Sequence, residues 1–119
     1  MIKFCSLYSG SSGNSIYIGT ERTNLLVDAG VSGIRIAGAL REICVEPQQI
    51  NGILITHEHS DHIKGAGIFS RKFNVPVYAR EKTWEAMRKE IGPLKEENIR
   101  MIDQEYFTVG DIDICNYSI

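Results

Sequence analysis

The chain predicts an α/β fold, and three observations carry that prediction. The apolar runs Leu25-Leu26-Val27 and Ile53-Leu54-Ile55-Thr56 read as short buried strands. Between them, Ile36, Ala37, Leu40, Ile43 and Cys44 recur at helical spacing behind Ser32, a natural helix cap. A strand–helix–strand unit of this size fits a right-handed crossover whose two strands run parallel. The third observation is chemical: all three histidines fall in one six-residue stretch, His57-Glu58-His59-Ser60-Asp61-His62, directly after the second of these strands.

In order along the chain, Ile2 to Leu7 reads as a first strand, ended by the turn formers Ser9-Gly10-Ser11-Ser12-Gly13-Asn14. Ser15 to Gly19 is a second strand, Glu21 to Asn24 a turn, and Leu25 to Val27 the third strand. The crossover helix spans residues ~34–44, with Gly33 and Gly38 working against it. Pro47 starts a turn, and Gly52 leads into the strand Ile53 to Thr56. Beyond the histidines, Lys64 to Phe73 reads as helix and Val75 to Ala79 as a strand interrupted by Pro76. Trp84, Met87 and Ile91 form an apolar stripe suited to core packing, on a helix that Gly92-Pro93 stops. Mixed charges from Arg80 to Arg100 suggest helix surface with i,i+4 pairing. Tyr106 to Val109 and Ile112 to Tyr117 suggest a hairpin turning at Gly110-Asp111.

At 119 residues the chain makes one domain at most, burying roughly two-thirds of its unfolded surface. A net charge of -2 supplies no broad basic field, so nucleic-acid binding would need a local patch or further chain. The longest apolar runs fall far short of the ~20 residues that cross a bilayer, and the first residues do not resemble a signal peptide. No membrane association is expected. Cys5, Cys44 and Cys115 are odd in number, far apart and without a CxxC pair. They read as small buried hydrophobes in a reducing, cytoplasmic setting.

The histidine cluster carries the chemistry. In extended backbone, residues i and i+2 point the same way with Cα atoms about 6.5–7 Å apart. His57 and His59 can then meet one ion at the usual nitrogen–zinc distance of roughly 2.0–2.1 Å. Asp61 and His62 follow where the chain turns toward a helix and can address a second ion. Two metals about 3.5–4 Å apart would share a hydroxide nucleophilic at neutral pH. Imidazole with carboxylate suits zinc best, with Fe and Mn as substitutes. Asp28 and His57 both leave the carboxyl ends of strands, the edge where open α/β sheets bind ligands.

His57-Glu58-His59-Ser60-Asp61-His62 resembles the HxHxDH signature of the metallo-β-lactamase superfamily of hydrolases, and Leu25-Leu26-Val27-Asp28-Ala29-Gly30 matches its first motif. Tyr8-Ser9-Gly10-Ser11-Ser12-Gly13-Asn14-Ser15 is similar to the opening of the WalJ/YycJ-type branch, bacterial DNA-processing hydrolases. The resemblance implies the N-terminal half of a four-layer αββα sandwich, a mixed sheet with helices on one face. It implies two zinc ions, His57 and His59 on one and Asp61 and His62 on the other, with Asp28 behind them holding the histidine loop by hydrogen bonds. It also gives Asp61 a catalytic role, accepting a proton from the attacking water. The substrate implied is DNA, cut at phosphodiester bonds in nuclease or exonuclease fashion by a metal-bridging hydroxide.

The sequence departs from that family in one respect. The superfamily's second half supplies a bridging Asp and two further histidines, and this chain has no histidine outside the cluster. Residues 1–119 therefore read as a single partial domain of a longer hydrolase, poorly active or inactive alone, with an open sheet edge and apolar face where the C-terminal half would sit. Two other readings stay open: the same site acting on a thioester or lactam, and a non-catalytic metal-binding module. Gly10-Ser11-Ser12-Gly13 is not a nucleophile elbow; it is a hairpin loop, or a set of amides for a phosphate. Lys64, Arg71 and Lys72 are either a solvated helix face or contacts for an anionic substrate.

Overall fold

The computed structural model describes residues 2–116. Strand β1 (Lys3–Tyr8) pairs antiparallel with β2 (Ser15–Gly19), and β2 antiparallel with β3 (Asn24–Val27). From β3 onward the sheet runs parallel through β4 (Gly52–Leu54), β5 (Val77–Arg80) and β6 (Ile99–Ile102), a mixed sheet in the order β1-β2-β3-β4-β5-β6. Helix α1 (Gly33–Glu42) makes the β3-to-β4 crossover, its first turn capped by the Ser32 hydroxyl. Helices α2 (Ser60–Ile63) and α3 (Ala66–Phe73) lead to β5, and α4 (Glu81–Ile91) leads to β6.

Register explains the layering. Cys5, Tyr17, Leu26, Ile53, Val77 and Ile99 lie opposite one another across the six strands and so share one face. The helices cover that face: Ile36 and Leu40 of α1, Phe69 of α3, and Trp84, Met87 and Ile91 of α4 pack into the same apolar cluster. Leu26, Ile53, Val77, Phe69 and Met87 are fully enclosed, each stabilising the fold by about 1.5–3 kcal/mol relative to exposure. On the opposite face, Ile18, Leu25, Val27 and Leu54 meet a hairpin of β7 (Tyr106–Val109) and β8 (Ile112–Cys115), and Tyr78 stacks on Phe107 at 6.0 Å. The apolar face expected to stand open thus carries a two-stranded cover, with a cavity of about 760 Å³ between the layers.

Four expectations need correction. The helix predicted over Lys64 to Phe73 begins only at Ala66, set off from the short α2 before it, because Gly65 lies against the Val31 carbonyl too closely for any side chain, and its N–H donates to the Ala29 carbonyl at 2.7 Å. The charged run from Arg80 to Arg100 is helical only to Ile91, where Gly92 turns the chain with φ 79°; the rest passes through a loop and a 3-10 turn (Glu96–Asn98) and ends in β6. Among the described residues its cations make no ion pair. Arg88 lies over the Trp84 ring at 5.8 Å and Arg100 over Tyr78 at 5.7 Å. Finally, Cys44 and Cys115 are exposed and Cys5 is half-buried, all three as free thiols. Cys44 sits just past α1 with φ 64°, where the chain turns at the surface. The end of the predicted hairpin strand, Tyr117, lies outside the described residues. No helix among the described residues is long and apolar enough to cross a membrane.

The hairpin is pinned at its turn. Gly110 (φ 58°) approaches Thr23 too closely to carry a side chain, the Asp111 N–H donates to Thr23 Oγ1 at 3.1 Å, and Thr20 Oγ1 donates to Asp111 Oδ1 at 2.8 Å. Hydrogen bonds from Thr23 and Thr20 hold the Asp111 carboxyl below the usual aspartate range. A depressed carboxylate pKa contributes stability that is complete above the unfolded value of about pH 4 and is lost as pH falls through the folded value. Amide protection in residues 106–115, relative to the intrinsic exchange rate at each pH, should therefore fall on acidification below about pH 4, while that of the β3–β4 amides holds. Asp111→Ala should show the faster exchange already at neutral pH. Equal protection of the hairpin in wild type and variant at neutral pH would show that this pin does not hold it.

Candidate metal centre

The site grows from the carboxyl ends of two parallel strands. The Asp28 N–H donates to the Leu54 carbonyl at 2.7 Å, which extends the β3–β4 ladder by one residue. Asp28 then turns with φ 65°, a left-handed conformation that Asp tolerates better than most residues. The turn buries its side chain under the following loop, at 7% exposure.

That carboxylate is fully used. Oδ1 accepts from the Thr56 N–H at 2.7 Å, while Oδ2 accepts from Thr56 Oγ1 at 2.6 Å and faces His62 Nδ1 at 2.7 Å. Thr56 Oγ1 also meets His57 Nδ1 at 2.9 Å. Hydrogen counting assigns the tautomers. A buried carboxylate only accepts, so His62 Nδ1 carries a proton; the single Thr56 hydroxyl proton goes to Asp28, so His57 Nδ1 must donate to Thr56. With Nδ1 donating in this way, the ring nitrogen open to a metal is Nε2 in both. This is the arrangement by which an outer carboxylate fixes a metal-binding imidazole.

The remaining predicted residues gather around these two. The His57 and His62 rings lie 4.9 Å apart and the His57 and His59 rings 6.0 Å. His57 therefore stands nearer His62 than His59, the histidine predicted to share its ion. His62 Nε2 is 3.7 Å from Asp61 Oδ2, a span that one ion at roughly 2.0–2.1 Å from each donor can bridge. Glu58 and Ser60 are exposed and make no side-chain hydrogen bond among the described residues. Among the described residues no three His, Cys, Asp or Glu side chains close into a complete ion-holding group. The donor set, the fixed tautomers and the Asp61–His62 spacing nevertheless fit a divalent cation.

The loop after β3 docks against the loop after β4 through its backbone. The Ala29 N–H donates to the His62 carbonyl at 2.8 Å, and Gly30 lies against the Asp61 carbonyl with no room for a side chain. Thr56, read from sequence only as the end of a strand, joins Asp28 to His57 by hydrogen bonds, a link the sequence does not flag. Arg71 makes no such link: its guanidinium closes α4, donating to the Ile91 and Pro93 carbonyls at 2.8 and 2.9 Å.

Residues 8–114 match the family model described as the metallo-beta-lactamase superfamily. The chain is 46% identical to a protein named exodeoxyribonuclease WalJ from Streptococcus pneumoniae serotype 2 (strain D39), over 98% of this chain and 45% of that protein. It is 47% identical to one named exodeoxyribonuclease YycJ from Bacillus anthracis, over 93% of this chain and 40% of that one. The chain thus spans somewhat under half the length of these relatives. Among solved structures, a B3 metallo-beta-lactamase with an active-site glutamic acid superposes with TM-score 0.76 at 20% identity, over 94% of this chain and 47% of that one. The Rm3 metallo-beta-lactamase gives 0.74 at 21%, over 92% and 46%. At such identity these two establish a shared fold.

The hydrogen-bond chain makes a direct prediction for the metal-free protein. Nitrogen NMR at about pH 8, above the ordinary imidazole range, should show His57 and His62 as Nδ1–H tautomers. Thr56→Val should release His57 into a mixture while leaving His62 unchanged. Asp28→Ala should release both and cost about 1–3 kcal/mol by stranding the Thr56 amide. An Nε2–H tautomer at His62 in the wild type would contradict the assignment.

Proposed function

We propose that this chain, which belongs to the metallo-beta-lactamase superfamily, supplies the histidine-bearing part of a metal-dependent hydrolase that cleaves phosphodiester bonds in DNA. The observation that carries the metal half of this reading is the bonded series His57–Thr56–Asp28–His62, which frees Nε2 on both rings, that of His62 3.7 Å from Asp61 Oδ2. In it, His57, His59, Asp61 and His62 hold divalent cations, zinc by the chemistry of the donors and Mn or Fe as substitutes. Such ions, when bound, supply Lewis acidity and make water strongly nucleophilic at neutral pH.

The chain's own residues have separable tasks. Asp28 and Thr56 lock the imidazoles in the tautomer that can ligate. Asp61, half-buried, combines a ligand oxygen with the capacity to take a proton from the attacking water. Residues 1–119 then form one partial domain, and the rest of the ligand set comes from sequence corresponding to the further length of the relatives. The DNA half of the reading is supported by the exodeoxyribonuclease names of two relatives at 46% and 47% identity. The structural likeness to beta-lactamases, at about one-fifth identity, supports the fold and gives no preference for a lactam. A cytoplasmic location accords with a DNA substrate and with three free thiols.

The test uses the intact protein on linear DNA and on a generic thioester, with and without chelator. DNA should be degraded, the activity should disappear on chelation and return with zinc or manganese, and Asp61→Ala should lower it by roughly 10²–10⁴-fold. Elemental analysis of the His57→Ala/His59→Ala pair should show less metal than wild type. Turnover of the thioester alone would overturn the DNA reading, and equal metal content in pair and wild type would end the ligand assignment.

A further inference from the structure

We infer that Asn14 is a positioning residue for Asp61 and ties the Ser9–Gly13 loop to the metal centre. This rests on the reading of Asp61 as a ligand and adds to it. Asn14 Nδ2 donates to the Asp61 carbonyl at 3.1 Å and to its carboxylate Oδ2 at 3.3 Å, and the Asn14 backbone N–H donates to the same carbonyl at 2.8 Å. Oδ2 is the oxygen that stands 3.7 Å from His62 Nε2. Asn14 therefore grips the ligand oxygen itself as well as the backbone that presents it.

The amide's orientation is fixed by its surroundings. The neighbours of Nδ2 are acceptors, namely the Gly10 carbonyl at 2.9 Å and the two Asp61 oxygens, while Oδ1 accepts the Gly10 N–H at 3.2 Å. A swapped amide would place oxygen against three acceptors. The backbone cannot drift either, because the Gly30 N–H donates to the Asn14 carbonyl at 2.8 Å and Gly30 is wedged between Asn14 and Asp61 without room for a side chain. Next along β2, the buried Ser15 hydroxyl donates to the Asp28 carbonyl at 2.8 Å. Consecutive residues thus brace the two sides of the site, Asn14 the Asp61 side and Ser15 the Asp28–His62 side. Ligating carboxylates are commonly held by outer hydrogen bonds of this kind, and losing one typically weakens metal binding 10–100-fold.

The experiment is calorimetric titration of the intact protein with zinc, joined to the visible spectrum of the cobalt-loaded form, for wild type, Asn14→Ala and Asp61→Ala. Asn14→Ala should keep the wild-type number of ions but bind the ion at Asp61 about 10–100-fold more weakly, with a shifted cobalt spectrum. Asp61→Ala should lose that ion. A change confined to the melting temperature of the metal-free protein, with affinity and spectrum as in wild type, would make Asn14 merely structural and overturn the inference while leaving Asp61 a ligand. Zinc uptake unaltered by Asp61→Ala, or no uptake by the intact wild-type protein, would overturn both. If Asn14→Ala does not fold, the wild type decides: its Asn14 side-chain amide resonances should move on adding zinc and stay still in Asp61→Ala. Resonances unmoved in the wild type would overturn the inference.

Discussion

One buried carboxylate organises this structure. Asp28 ends the central strand β3, continues its parallel ladder by one bond, and then spends both oxygens on the segment that follows β4. Removing water from a carboxylate is costly unless every lone pair finds a donor. Here Thr56 and His62 supply those donors, so the arrangement that satisfies Asp28 is the same one that sets the imidazoles. Fold and site are joined by a single desolvation constraint.

The sheet makes that constraint affordable. Leu26 and Ile53 sit side by side in the apolar cluster beneath the helices, and this packing fixes β3 against β4 in register. A slip of one residue would reverse which side chains face the helices, and it would also carry Asp28 away from Thr56. Backbone contacts between the two loops then leave space only for glycine at Gly30 and Gly65. The histidine loop is held along its length, although the rings of His57 and His59 reach solvent.

Much of this was legible in the amino acids. The crossover, the parallel pairing, the alignment of Asp28 with the histidines, and β2 all follow from apolar runs of strand length separated by a helical period. What stayed hidden has physical causes. Strand β6 carries Arg100 and little apolar alternation, and its place depends on α4: Trp84 Nε1 donates to the Arg100 carbonyl at 2.9 Å. No local pattern reports that bond. The break at Gly65 comes from a carbonyl more than thirty residues earlier in the chain. Thr56 and Asn14 look in sequence like any strand-end hydroxyl and any turn asparagine; only the fold shows that one relays Asp28 to His57 and the other faces Asp61.

The central claim is that Asp28, directly and through Thr56, aims the Nε2 atoms of His62 and His57 at divalent cations. The most direct measurement is anomalous X-ray scattering at the zinc edge from crystals of the intact protein grown with zinc. The account predicts peaks at roughly 2.0–2.1 Å from Nε2 of His57 and of His62, with Asp28 still bonded to His62 Nδ1. Zinc found on Nδ1 of either ring, or no anomalous peak within ligand distance of these imidazoles, would contradict it.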